Sequence, residues 1–216
     1  MKALVFDNDG TIADTHALLL KSFHHAVVQV LGHDLPDEQL MASVGVPLAV
    51  QMADFTDDED EQRELLSVYR AYNHRIHDQL IKTFPGELQA LEAFAQAGMP
   101  MAVVTSKLHA LAQHGIELLG ISPYMEFLIG ADDCERAKPD PAPVLMACER
   151  LGLAPCECAY IGDSPFDMRA AVAAGCTAIG VTWGMFSAKA LAAEHADFIV
   201  DSFEELRELV CGDLSA

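Results

Sequence analysis

Six short apolar runs, separated by stretches of helical periodicity, limit what this chain can fold into. They cover residues 2–7, 99–105, 126–130, 158–162, 177–182 and 196–200, and each gives way to polar or turn-forming residues. Runs of five to seven residues are too short for independent helices, and their unbroken apolar character suits strands buried on both faces. Between them the spacing turns helical. Leu88, Leu91, Phe94 and Ala95 precede Gly98, and Leu108, Leu111, Ile116 and Leu119 precede Gly120. Residues 141–151 precede Gly152, and residues 168–174 precede Gly175, so glycine stops each segment. This alternation predicts an α/β fold, a Rossmann-like parallel sheet core with helices on both faces. Right-handed crossovers bring every strand C-terminus to one edge, and ligands bind at that edge in open sheets of this kind.

Residues 15–82 interrupt the alternation. Leu20, Phe23, Val27 and Val30 trace one helical stripe, and Leu65, Tyr69, Tyr72, Ile76 and Leu80 trace a longer one, with no strand between. The reading is an inserted all-helical cap over 15–82 and a core made of 1–14 and 83–216. Leaving after the first strand and returning before the second, the cap would lie over the strand C-termini. The acidic run 57–61 fits the first turn of the long helix, where negative charge opposes the helix dipole.

Composition narrows the partners. The chain has 13 Lys plus Arg against 33 Asp plus Glu, a net charge of −20. Such a surface repels nucleic acid and anionic membranes, and any anion-binding site on it must be compensated locally. No apolar run approaches the length of a membrane span, and residues 1–7 do not resemble a secretory signal, so a cytoplasmic location is expected. The six cysteines then read as reduced thiols, and only Cys156 and Cys158 lie close together, at a spacing unlike that of zinc sites.

Four polar clusters fall at the predicted functional edge: Asp7-Asn8-Asp9-Gly10-Thr11, Thr105-Ser106, Lys138-Pro139-Asp140-Pro141 and Gly162-Asp163-Ser164-Pro165-Phe166-Asp167. Each alone is an ordinary turn sequence. Together, in this order and each in its strand context, they resemble the haloacid dehalogenase superfamily, most of whose members are phosphatases, over nearly the whole chain. The helical insert after the first cluster resembles the small-cap branch. Residues 69–74, 132–139 and 180–184 are similar to phosphoglycolate phosphatases and bacterial pyrophosphatase-type enzymes. Asn8 departs from the pattern, which has a bulky apolar residue there.

The residue types suit phosphoryl transfer. Asp7, at the tip of the first strand, can carry a phosphoryl group as an aspartyl phosphate. Asp9, two residues on and on the same side, can protonate the leaving oxygen and later deprotonate a water. Gly10 lets the backbone turn and offers N–H groups to phosphate oxygens, with Thr11 beside it. Carboxylates beside a phosphate dianion need a hard cation, and Mg²⁺ prefers oxygen ligands. The resemblance implies that Asp7, the Asp9 carbonyl and Asp163 hold Mg²⁺, with Asp167 a ligand or close neighbour. It also implies that Thr105 binds the phosphoryl group with Ser106 in support, that Lys107 assists, and that Lys138 neutralises charge and ties down Asp7.

Substrate choice is assigned to the cap. Arg70, His74 and His77, at spacings of three and four, are candidates to reach an anionic substrate, and loop 43–48 is a candidate to enter the site. The leading expectation is hydrolysis of a small phosphomonoester such as 2-phosphoglycolate. Inorganic pyrophosphate is the alternative. Dehalogenation is disfavoured because those relatives generally lack the second Asp. A sugar-phosphate mutase is disfavoured because loop 43–48 is apolar. A non-catalytic binding module is disfavoured because no cluster is missing. A monomer and a homodimer both remain open.

Overall fold

The computed structural model describes residues 1–212. Its strands are β1 (Ala3–Phe6), β2 (Met101–Val104), β3 (Phe127–Ile129), β4 (Cys158–Gly162), β5 (Thr177–Val181) and β6 (Phe198–Val200). Its helices are α1 (His16–Leu31), α2 (Asp37–Met41), α3 (Leu48–Gln51), α4 (Glu59–Leu80), α5 (Glu87–Gln96), α6 (His109–Leu118), α7 (Ala142–Leu151), α8 (Pro165–Ala174), α9 (Ala188–Ala193) and α10 (Phe203–Gly212). The strands form one parallel sheet in the order β3-β2-β1-β4-β5-β6. All six predicted strands are present, and the fold is the expected α/β sheet.

Strand pleating divides the core. Leu4 and Phe6 of β1 join Met101 and Val103 on one face, covered by Leu91 and Phe94 of α5, Ile116 of α6 and Leu206 of α10. Ala3 and Val5 join Val104 and Tyr160 on the other, covered by Val144 of α7, Met168 of α8 and Leu191 of α9. The strand order fans outward from β1, to β2 and β3 on one side and to β4, β5 and β6 on the other. The crevice beyond the C-terminal ends of β2, β1 and β4 is therefore the topological switch point, the usual ligand position in such a sheet.

Helices α1 to α4 enclose their own apolar cluster of Phe23, Val27, Leu40, Met52, Leu65 and Tyr69. The segment leaves and rejoins the core at a single antiparallel bridge, where Asp14 N–H donates to Lys82 O (2.8 Å) and Lys82 N–H to Asp14 O (3.2 Å). The long helix α4 begins as its acidic run suggests. Asp58 caps it, accepting from the N–H groups of Asp60 and Glu61, a contact that contributes about 1 kcal/mol. Its buried face differs from the apolar stripe read in the sequence: Leu65, Tyr69, Asn73 and His77 point inward, while Tyr72 is only half-buried and stacks on His25. Helices α2 and α3 were not legible as separate elements, being only five and four residues long.

One buried acid lies away from the sheet edge. Glu87, at the start of α5, accepts from Phe84 N–H at 2.7 Å, while its Oε1 has no hydrogen-bond partner. Burial, only partly offset by that hydrogen bond, pushes its carboxyl up to about 8. Among the described residues, no helix is long and apolar enough to cross a membrane.

Candidate active site

Each strand at the centre of the sheet delivers one polar group into the crevice. β1 delivers Asp7, whose N–H extends the ladder by donating to Ile161 O at 2.8 Å. β2 delivers Thr105, whose N–H donates to Ile129 O at 2.9 Å. β4 delivers Asp163 and then Ser164. Ser164 caps α8 by accepting from Asp167 N–H, and Asp167 reciprocates by accepting from Ser164 N–H at 3.0 Å. This capping box fixes Asp167 at the entrance of the helix.

Oxygens of Asp7, Asp163 and Asp167 lie within 4.8 Å of one another, and all three residues are buried. One cation answers them. Lys138 Nζ lies 2.7 Å from Asp7 Oδ1 and 2.6 Å from Asp167 Oδ1. Three carboxylates facing one ammonium leave the cluster short of positive charge. The Asp7 carboxyl is pushed up to about 7: burial raises it most, the charges of Asp167 and Asp9 add to the rise, and Lys138 opposes it. Burial likewise raises Asp163 well above the usual carboxylate range, with Asp167 and Asp7 adding to the rise. A buried, all-oxygen donor set with excess negative charge fits a hard divalent cation such as Mg²⁺.

Asp9 is separate. Its Oδ1 accepts from Lys107 Nζ at 2.8 Å. Burial alone would raise its pKa, but the charge and hydrogen bond of Lys107, with smaller contributions from Thr15 and Asn8, hold it below the ordinary value. The unusual Asn8 is buried beside it, and its backbone carbonyl accepts from the N–H groups of Thr11, Ile12 and Ala13.

Glycines make the approach of Asp163 possible. Gly10 has φ +83°, and a Cβ there would collide with the Asp163 carboxylate. A Cβ on Gly184 would collide with the same carboxylate and with Gly10 O. Asp163 Oδ2 accepts from Met185 N–H at 2.7 Å, and Thr11 Oγ1 donates to its Oδ1 at 3.4 Å. Trp183 Nε1–H donates to Thr11 O at 3.0 Å, pinning the loop after β1 to the loop after β5.

Above the carboxylates is a cavity of about 340 Å³ between core and cap. Asp7, Asp9, Thr105, Ser106, Lys107, Asp163, Arg70 and His74 all line it. Loop 43–48 enters as anticipated, supplying Val44, Gly45, Val46, Pro47 and Leu48, and Ser106 Oγ donates to Gly45 O at 2.6 Å across the boundary. The remaining wall is largely apolar, with Leu19, Phe23, Tyr69 and Leu111.

Two expectations for the substrate-binding loop need correction. Gly10 N–H donates to Ala13 O at 2.9 Å and Thr11 N–H to Asn8 O at 3.2 Å, so neither is directed at a phosphate, and Thr11 is fully buried under Asp163. Their place in the structure is to hold a carboxylate. His77 also turns away from the cavity and packs against α6. The sequence reading missed Asn73, which lines the cavity and donates to Ser22 Oγ at 3.1 Å, and the part played by Gly184. A polar residue four positions after Tyr69 on the same helix face was the available signal for Asn73.

These features have counterparts among known proteins. Residues 4–181 match the haloacid dehalogenase-like hydrolase family. A protein of Caldanaerobacter subterraneus subsp. tengcongensis named "Putative pyrophosphatase PpaX" is 35% identical over 210 residues, covering 97% of this chain and 94% of that protein. Pyrophosphatase PpaX of Bacillus velezensis is 31% identical over 204 residues, covering 94% of each. The crystal structure of a protein from Haemophilus somnus, described as a predicted phosphoglycolate phosphatase, is similar with a TM-score of 0.90 at 26% identity, over 97% of this chain and 98% of that one. The sheet order, the buried carboxylates at its switch point and these similarities agree: the chain belongs to the haloacid dehalogenase-like hydrolase family and is a phosphatase of that family.

Proposed function

We propose that this phosphatase is Mg²⁺-dependent and hydrolyses a small phosphomonoester through a phosphoryl group carried on Asp7. The observation that carries the reading is the convergence of Asp7, Asp163 and Asp167 around Lys138, directly below a cavity that Asp9 and Thr105 also line. Asp7 and Asp163, with Asp167 alongside and the Asp9 carbonyl, are the groups that would hold Mg²⁺. When bound, the ion supplies the positive charge the cluster lacks and favours the ionised form of Asp7.

The chain's own residues account for the two chemical steps. An Asp7 oxygen attacks phosphorus, forming a new P–O bond as the bond to the leaving oxygen breaks, and Asp9 gives that oxygen a proton. A water then attacks the same phosphorus, losing a proton to Asp9, and Asp7 departs as a carboxylate with inorganic phosphate released. The Thr105 hydroxyl donates to a phosphoryl oxygen, with Ser106 holding the neighbouring cap loop. Lys107, paired with Asp9 at 2.8 Å, is within reach of an incoming phosphate; transferring to it would free Asp9 to take a proton.

The apolar wall built by Leu19, Phe23, Val44 and Leu111 supports an organic leaving group, and 2-phosphoglycolate is the first compound to test. Pyrophosphate is the second reading, supported by Arg70 and His74 on the cavity wall and by the names of the PpaX relatives. Phosphate release from a panel of small phosphomonoesters and pyrophosphate, with Mg²⁺ and with chelator, tests both. Turnover preserved in chelator overturns the metal assignment, and no turnover on any compound overturns the substrate class.

A further inference from the structure

Cap and core meet again away from the carboxylates, near the end of α4. His77 Nδ1 lies 2.8 Å from Asp78 Oδ1, and His114 Nε2, from α6, lies 2.9 Å from the same oxygen. The two imidazole rings are 5.6 Å apart at a 36° tilt. One donor atom from each of the three residues falls within a common span of 4.8 Å. His77 is 2% exposed, whereas the side chains of Asp78 and His114 are 58% and 50% exposed. The group is thus anchored on a buried ring and open to water on its other side.

We propose that His77 Nδ1, the Asp78 carboxylate and His114 Nε2 form a second metal site, one for a borderline divalent transition ion of the Zn²⁺ type, which ties the cap to the core. Two imidazole nitrogens and one carboxylate oxygen make a donor set suited to Zn²⁺, with the exposed side left for water as a further ligand. Mg²⁺ prefers oxygen donors and competes poorly for nitrogen, so the two sites differ in the ions they select. The ring of His77 packs over Gly115 of α6, which holds it in place before any ion arrives. Burial also holds the His77 imidazole below its ordinary pKa, with the Asp78 contact opposing, so the neutral form that metal binding requires is favoured.

The location gives the site a consequence. Its cap ligands lie on α4, the helix that carries Arg70 and His74 to the cavity wall, and its core ligand lies on α6, which carries Leu111 to the opposite wall. An ion bound across this seam restrains the two walls relative to one another. Zn²⁺ at fixed Mg²⁺ would then change turnover through the cap.

Co²⁺ is the probe, because a four- or five-coordinate site gives it much stronger visible absorption than the six-coordinate aqua ion. Wild type and His114→Ala are titrated with Co²⁺ in excess Mg²⁺. Any ion taken by the Asp7 cluster is common to both proteins and cancels in the comparison. Wild type is expected to bind one more Co²⁺ than His114→Ala and to show a visible band that the variant lacks. Asp78→Asn should weaken that binding by at least the roughly 10–100-fold typical of losing an outer-shell partner. Zn²⁺ should raise the melting temperature of wild type more than that of His114→Ala. Both substituted side chains are about half exposed, so folding is not at stake, and neither belongs to the proposed catalytic machinery. Equal stoichiometry, spectra and melting shifts in wild type and His114→Ala would mean a hydrogen-bonded triad only, and would overturn the proposal.

Discussion

Lys138 Nζ lies 2.7 Å from Asp7 Oδ1, an ion pair between residues 131 positions apart in the chain and with both side chains almost wholly withdrawn from water. The same ammonium serves Asp167 at 2.6 Å. Removing it leaves two buried carboxylates without their cation. Lys138→Ala should therefore lower stability by about 3–5 kcal/mol, the range for breaking a buried pair from one side, and abolish turnover. Urea unfolding monitored beside phosphate release measures both. A stability within about 0.5 kcal/mol of wild type, the range of a neutral surface substitution, would show that the pair does not matter to the fold.

Asp9 should separate chemistry from folding. Asp9→Asn keeps the shape of the side chain but cannot donate or accept the proton. Turnover should fall by about 10²–10⁴-fold, with the melting temperature little changed. Single-turnover measurements should show leaving-group release slowed. A normal rate in this variant would remove Asp9 from the proton-transfer role.

Asp7→Asn removes the proposed nucleophile and one of the carboxylates crowded around Lys138. No turnover should be detectable, while Lys138 retains Asp167 and the fold persists. Circular dichroism alongside a phosphate assay checks the pair of outcomes. Residual turnover at wild-type level would assign the attack to another group.

Gly184 should be intolerant of even one methyl. A Cβ there meets both Asp163 and the Gly10 carbonyl, so Gly184→Ala must displace the carboxylate, at about 1–3 kcal/mol for overpacking. Activity should fall, and under the proposed Mg²⁺ requirement the concentration for half-maximal activity should rise. Unchanged Mg²⁺ dependence would mean that Asp163 has room to spare.

Glu87 predicts a pH effect on stability that owes nothing to the active site. Its folded carboxyl sits at about 8, above the usual 4.5. Between those values the folded state holds the proton more tightly than the unfolded chain. Its contribution is therefore complete below about pH 4.5, declines by up to about 1.4 kcal/mol per pH unit through the window, and is gone above about pH 8. Glu87→Gln, which carries no charge, should lose less stability than wild type as pH rises from 5 to 8. Parallel stability–pH curves for the two proteins would contradict this.

The sheet edge was legible because the strands are buried on both faces and end abruptly in polar residues. Asp7, Thr105 and Asp163 each follow a strand whose residues are all buried, and that contrast is written in the sequence. The cap was less legible. Apolar periodicity pointed to Tyr72, Ile76 and Leu80, but the inward face of α4 continues through Asn73 and His77. That face borders a cavity and another helix with hydrogen-bonding groups, so polar residues are satisfied there and hydrophobicity is a poor guide. The Lys107–Asp9 pair joins residues 98 positions apart, and the space around Gly184 is closed by Asp163 from another strand end and by the distant Gly10, so no local pattern encodes either.

The backbone rung between Asp14 and Lys82 divides the molecule's labours. The chain enters and leaves the cap at that one pair of peptide hydrogen bonds, while Asp7, Thr105 and Asp163 follow strands that pair with one another without it. Sequence drift between Asp14 and Lys82 can redraw the cap side of the cavity and leave the buried carboxylates of the core where they are. A scaffold built this way can exchange customers without rebuilding its workshop.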